Sequence, residues 1–125
     1  MLKIKRVYDS AEEQDGYRIL VDRLWPRGVS KEKADIGLWA KDIAPTPQLR
    51  KDFGHEPEKF PAFLEQYTKE LEGNPSIEAF VDAVRERLAQ GNVTLVYGAR
   101  DTQHNDAVVL EAFLEQNLAA KAGKE

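Results

Sequence analysis

The sequence predicts an α/β fold: a small single domain with a short, mostly parallel sheet of about three strands flanked by four helices. Three runs rich in branched and aromatic residues, "LKIKRVY", "YRILVDRL" and "NVTLVYGA", read as strands. Apolar residues at helical spacing fill much of the stretch between the second and third runs, and another helical pattern follows the third. A chain of 125 residues has the length of one domain and buries roughly two thirds of its unfolded surface. No linker, repeat or low-complexity tract divides it, so residues 1–120 are expected to form the domain and 121–125 a frayed tail.

Taken in order, the first strand alternates in character and the second has a continuous apolar centre. The connection between them, "DSAEEQDG", is too short for a full crossover helix, which leaves their relative direction open. From Lys31 to Asp52 the pattern is irregular, broken by Gly37, Pro45 and Pro47. Within it, "TPQLRKDF" offers Thr46 as N-cap and Pro47 at the first helical position, hence a short helix. Phe60, Phe63, Leu64, Tyr67 and Leu71 then define one amphipathic helix over 57–72, which Gly73 stops. Asn74-Pro75 opens the next, with Ile77, Phe80, Val81, Val84 and Leu88 inward and Gly91 as its end. After the third strand a last helix starts near Asn105 or Asp106 and turns Ala107, Leu110, Phe113, Leu114 and Leu118 to the core.

Composition narrows the possible functions. The chain is 42% hydrophobic and 32% charged with a formal charge of −4, which argues against a nucleic-acid coat or a polybasic membrane anchor. There is no cysteine, so disulfides, thiolate catalysis and cysteine-based metal sites are excluded, and two histidines make a histidine-rich metal site a poor fit. No segment approaches the ~18 apolar residues of a membrane span, and "MLKIKRVYD" lacks the apolar run of a signal peptide; a cytoplasmic location is expected. Oxygen ligation of a metal by Asp9, Asp22 and Asp101 has only scattered carboxylates behind it, so no metal site is assigned.

Open α/β sheets bind ligands beyond the carboxyl ends of their strands, and here those ends carry "YDS", "DRLWPRG" and "YGARDTQHN". If the second and third strands are parallel, Asp22, Arg23, Arg27, Tyr97, Arg100, Asp101 and His104 share one edge. Arginine presents a planar fork that fits phosphate or carboxylate, so Arg23, Arg27 and Arg100 point to anion recognition. The start of the last helix, His104 to Ala107, adds backbone donors and a positive dipole end. Gly28 and Gly98 let a ligand approach the backbone. Structural roles compete at each position: Asp22 and Arg23 as a strand-end ion pair, Trp25 as packing rather than a stacking platform, His55 and Tyr97 as packing or capping. His104, near a helix N-terminus, is a better candidate acid or base than His55.

The blocks "KRVYD", "DGYRILVDRLWPRG", the Trp39–Pro45 segment, "LRKDFGH" and "TLVYGARDTQHNDAVVL" resemble, in sequence and spacing, the YeaO family within the domain of unknown function 488 proteins. The similarity covers nearly the whole chain, although residues 57–88 match only in pattern. The resemblance implies functional weight at Asp22, Arg23, Trp25, Pro26, Arg27, Gly28, Trp39, Lys41, Leu49, Arg50, Phe53, His55, Tyr97, Gly98, Asp101 and Asn105. It implies no established reaction, and the cofactor is unknown. Longer members of the wider family resemble an α/β domain with a "DVR…P" block and a later Cys-His-Arg block. Asp22, Arg23 and Pro26 match the first, while Gln103 to Asn105 fall at the second without a cysteine, so thiol chemistry does not carry over.

Two readings follow. In one, an enzyme of unknown reaction binds a small anionic metabolite or nucleotide through Arg23, Arg27, Arg100, Lys41 and Arg50, with Trp25, Trp39, Gly28, Gly98 and Asn105 shaping the pocket. His104 or His55 moves a proton there, and Asp22, Asp101 or Tyr97 orients the reacting groups. In the other, a non-catalytic module senses an anion or docks an acidic partner or nucleic acid.

Overall fold

The central strand of the sheet comes last in sequence. The structure, a computed structural model, describes residues 1–122. Its strands are β1 (Leu2–Arg6), β2 (Tyr17–Leu20), β3 (Leu38–Trp39) and β4 (Val93–Tyr97), in the spatial order β1-β4-β2-β3 and parallel throughout. All five residues of β4 are buried, as its unbroken apolar run requires for a parallel strand covered on both faces. Leu95 pairs with Ile4 on one side and Ile19 on the other, which fixes the register of the three long strands.

The direction left open by the short first connection is therefore parallel. The rule that short connections join antiparallel strands assumes adjacent strands, but β4 lies between β1 and β2. Ten residues at up to ~3.3 Å each comfortably retrace a five-residue strand, and one 3₁₀ turn, Glu13–Asp15, is enough to do it.

The helices are α1 (Lys31–Ala34), α2 (Pro47–Phe53), α3 (Phe60–Glu72), α4 (Ile77–Leu88) and α5 (Asp106–Ala122). The expected count of about three strands and four helices is corrected to four and five among the described residues. Both additions, β3 and α1, lie in the irregular Lys31–Asp52 segment and are two and four residues long, too short to show a period. The helix expected from residue 57 begins as a 3₁₀ turn, Pro57–Lys59, before α3 proper. Thr46 caps α2 as expected, its hydroxyl accepting the Leu49 N–H, with Pro47 at the first position. The helix α5 runs to Ala122; residues 123–125, part of the tail expected to fray, lie outside the described residues.

The main core packs Ile19, Val21, Val93, Leu95 and Tyr97 against apolar residues of α2 to α5, such as Phe53, Phe63, Val84 and Leu110. The opposite face of the sheet carries only a thin cover, in which Ala34 of α1 and the half-buried Trp25, Val29 and Ile36 pack over Val7 and Val96. Arg18 points into that face and is 2% exposed. Its guanidinium bonds Asp15 at 2.7 Å and the Ala34 carbonyl at 2.9 Å, and Lys5 reaches the same carboxylate at 3.2 Å. Burial pushes the Asp15 carboxyl up, but the Glu12 N–H, Lys5 and Arg18 outweigh it and hold the group below its ordinary range.

Candidate functional site

Because every strand is parallel, all four carboxyl ends meet at one edge. The "DRLWPRG" block leaves β2 there and divides into two roles. Asp22, Arg23 and Trp25 hold the loops together. The Asp22 side chain accepts the Gly98 N–H at 2.9 Å, bridging the ends of β2 and β4, while its carbonyl accepts from the Trp39 indole at 2.9 Å. Arg23 donates to the carbonyls of Pro45 at 3.0 Å and Ala44 at 3.2 Å. The Trp25 indole donates to the Val29 carbonyl at 2.7 Å, and its ring meets that of Trp39 edge-on with centroids 5.4 Å apart. Leu24, Arg27 and Gly28 instead face solvent.

An outer cleft of about 600 Å³ opens beside this block, within the size range of a small-molecule site. Arg27, Arg50 and Arg100 line it, with Tyr8, Leu24 and Trp25 as its less polar wall. Among the described residues these three guanidiniums form no hydrogen bond and no ion pair. Arg6, Arg18 and Arg23, by contrast, are bonded to backbone carbonyls, and Arg18 also to a carboxylate.

Behind it lies an inner recess of about 80 Å³, which shares Asp22, Arg50, His55 and Ala99 with the outer cleft and adds Asp106 between apolar walls that include Phe53 and Phe63. The Asp106 and Asp22 side chains are within hydrogen-bonding reach. Loss of hydration, then the charge of Asp22 and that hydrogen bond, hold the Asp106 carboxyl well above its ordinary range, against smaller opposing pulls from the Ala107 N–H and then Arg50. Asp106 therefore holds its proton more tightly than an ordinary carboxyl.

His55 sits on the shared wall in a left-handed conformation, φ 58°, directly after Gly54 at φ 54°. Two successive left-handed residues turn the chain sharply after α2, and the imidazole is presented to both lobes.

The other expected site residues are placed as follows. Asp101 lines the outer cleft, but one of its oxygens accepts the N–H groups of Gln103 and His104 and the other meets His104 Nδ1 at 2.8 Å. Those N–H groups, first Gln103 and with His104 contributing further, hold the Asp101 carboxyl below its ordinary range. His104 itself packs edge-on to Phe60 at 5.1 Å and lines neither lobe. Asn105 lines the recess and is tied down, capping α5 through Val108 N–H and donating to the Asp101 carbonyl. Tyr97 is buried; desolvation raises its hydroxyl and the nearby Arg6 opposes this. Gly98 lines the outer cleft, where a Cβ would lie 3.2 Å from the Asp22 carboxylate. Gly28 has φ 72° and lies outside the cleft lining. Trp39 and Lys41 pair with each other, the ammonium 4.3 Å from the ring, and line a shallow surface near Phe80 instead.

Asp106 is the site residue that sequence reasoning missed, because it read as the first residue of a helix. The available signal was positional: Asp106, like Asp22, follows a strand of a parallel sheet.

A family model described as "Inactive DUF488-N3 subclade" matches residues 1–125. The uncharacterized protein YeaO of Escherichia coli K12 is 42% identical over 114 residues, covering 90% of this chain and 96% of that relative. The uncharacterized proteins Mb3100c of Mycobacterium bovis and Rv3073c of Mycobacterium tuberculosis H37Rv are each 34% identical over 113 residues, 90% of this chain and 92% of theirs. No solved structure matches. The chain is thus a member of the YeaO branch of the DUF488 family.

Proposed function

We propose that this chain is a non-catalytic cytoplasmic binding protein for a small anionic ligand, a phosphate- or carboxylate-bearing metabolite or nucleotide, held in the outer cleft by Arg27, Arg50 and Arg100. The observation that carries this reading is the contrast among the arginines. Arg6, Arg18 and Arg23 are hydrogen-bonded to the protein and Arg87 stacks on Tyr17, while among the described residues the three on the cleft have neither kind of partner, and an unbonded guanidinium presents its full fork of donors to phosphate or carboxylate. The carboxyl of Asp106, raised by its surroundings, opposes an anion less than an ordinary carboxylate does.

The word "inactive" in the family description and the absence of cysteine favour binding over turnover. A catalytic reading has one observation of its own: the Asp22–Asp106 pair beside His55 has the parts of a proton-transfer site. Docking of an acidic partner segment has another, since Leu24 and Tyr8 on the cleft wall are 60% and 48% exposed.

A thermal-shift screen of phosphates, nucleotides and carboxylates against the wild type and an Arg27→Ala plus Arg100→Ala variant tests the proposal. A ligand at a hundredfold its Kd adds roughly 2.7 kcal/mol, on the order of 10 °C in Tm for a domain of this size. The expected result is that one anion class stabilises the wild type and not the variant, whose own Tm is nearly unchanged. An equal response of both proteins, or no response to any anion, overturns it.

A further inference from the structure

We propose that the cleft takes a zwitterion, whose phosphate or carboxylate is held by Arg27 and Arg100 in the outer lobe and whose ammonium group enters the recess between Asp22 and Asp106. The inference rests on the anion-binding reading above and adds a cation subsite to it.

The two lobes adjoin, sharing Asp22, Arg50, His55 and Ala99, but differ in charge. The outer lobe carries the unbonded guanidiniums. The recess is lined by two carboxyl groups, Asp22 and Asp106, beside the stacked rings of Phe53 and Phe63. Among the described residues no cation is hydrogen-bonded to either: Arg50 lines the recess, yet neither Asp22 nor Asp106 forms an ion pair with it. Two neighbouring carboxyls relieve their mutual repulsion when one holds a proton, in line with the raised carboxyl of Asp106. A ligand ammonium does the same with three donors and a full positive charge, in surroundings where charge-assisted hydrogen bonds are strong.

Size limits the guest. At about 80 Å³ the recess is well below the ~150 Å³ cavity that accommodates benzene, so it admits an aminomethyl-sized group and not a ring. Because the lobes share a wall, anion and ammonium must lie within a few bonds of each other. The charged and titratable groups facing Asp106 are Asp22 beyond β2, Arg50 of α2, His55 after it, and the buried Tyr67 of α3. Proton and ammonium compete for one place.

The test is calorimetric titration of 2-aminoethyl and 3-aminopropyl phosphate against ethyl and propyl phosphate, the ratio of affinities within each pair being the readout. The ratio cancels changes in phosphate protonation. The expected result is that one amino compound binds roughly tenfold or more tightly than its partner at about pH 8. Its advantage shrinks toward about pH 5 as the proton competes, and Asp106→Asn brings the ratio close to one. The wild-type pH dependence needs no variant, so a poorly folding substitution leaves the test intact. Equal binding of amino and plain phosphates overturns the zwitterion and leaves the anion site standing. An amino advantage that persists in Asp106→Asn or does not vary with pH overturns the recess assignment. Failure of all four compounds to bind overturns both readings for phosphates.

Discussion

The Asp22 carboxylate accepts the Gly98 N–H at 2.9 Å and so ties the end of β2 to the end of β4, at the point where the cleft opens. This one bond sets the mouth of the cleft and positions the carboxyl that meets Asp106. A Cβ on residue 98 would stand 3.2 Å from the Asp22 oxygen, tighter than ordinary packing. Gly98→Ala is therefore expected to displace Asp22, and Asp22→Ala to leave the Gly98 N–H unsatisfied at a cost of about 1–3 kcal/mol. Urea denaturation measures both, and Asp22→Asn, which keeps an accepting oxygen, should lose less than Asp22→Ala.

The arginines should separate cleanly in a stability scan. Arg23→Ala removes both donors to the Pro45 and Ala44 carbonyls and is expected to cost about 1–3 kcal/mol. Arg27→Ala and Arg100→Ala, at exposed positions, should fall within about 0.5 kcal/mol of wild type. Similar losses at all three would mean that the cleft arginines are scaffold.

At His55 the backbone and side chain make opposite demands. A non-glycine residue in the left-handed region costs roughly 1–2 kcal/mol, reduced for His by its tolerance of that region. Glycine releases the strain but adds roughly 0.5–1 kcal/mol of unfolded-chain entropy. His55→Gly should thus match or slightly exceed wild-type stability and surpass His55→Ala, while both weaken ligand binding equally. Thermal denaturation and a binding titration on the three proteins check this.

A buried carboxyl, Asp15, and a half-buried one, Asp106, give opposite pH dependences. Asp15 is held below its ordinary range, so its stabilisation is present above the unfolded-state value and is lost as pH falls through the folded one. Asp15→Ala should cost about 3–5 kcal/mol near neutrality by leaving Arg18 unpaired, with a smaller loss in acid. Asp106 is held above its ordinary range: the folded state binds the proton more tightly, and stability falls as pH rises from the ordinary carboxylate range through the raised one. Asp106→Asn should accordingly exceed wild-type stability at about pH 8, with the advantage vanishing near about pH 3.5. Melting temperatures across that range read both slopes.

How much of this was legible depended on the length of each signal. The buried β4 run, the apolar faces of α3, α4 and α5, the Thr46-Pro47 start of α2 and the meeting of strand ends all repeat or cap over enough residues to be read. The two-residue β3 and one-turn α1 have no period and form because β2 and Arg18 receive them in three dimensions. Arg23 illustrates a further limit. It lies in the same loop block as Arg27, and the position of Pro45, 22 residues away, makes one a clamp while the other stays free. Asp106 escaped for a related reason, since an acidic first helical residue is common and its partner Asp22 lies far away in sequence.

The central claim is that an anion binds at the open edge of the sheet, and the most direct measurement is amide chemical-shift mapping of ¹⁵N-labelled protein titrated with inorganic phosphate. The account predicts saturable shifts concentrated at Arg27, Gly28, His55, Gly98 and Arg100, with the α3–α4 face silent. Shifts centred elsewhere, or none that saturate, would contradict it.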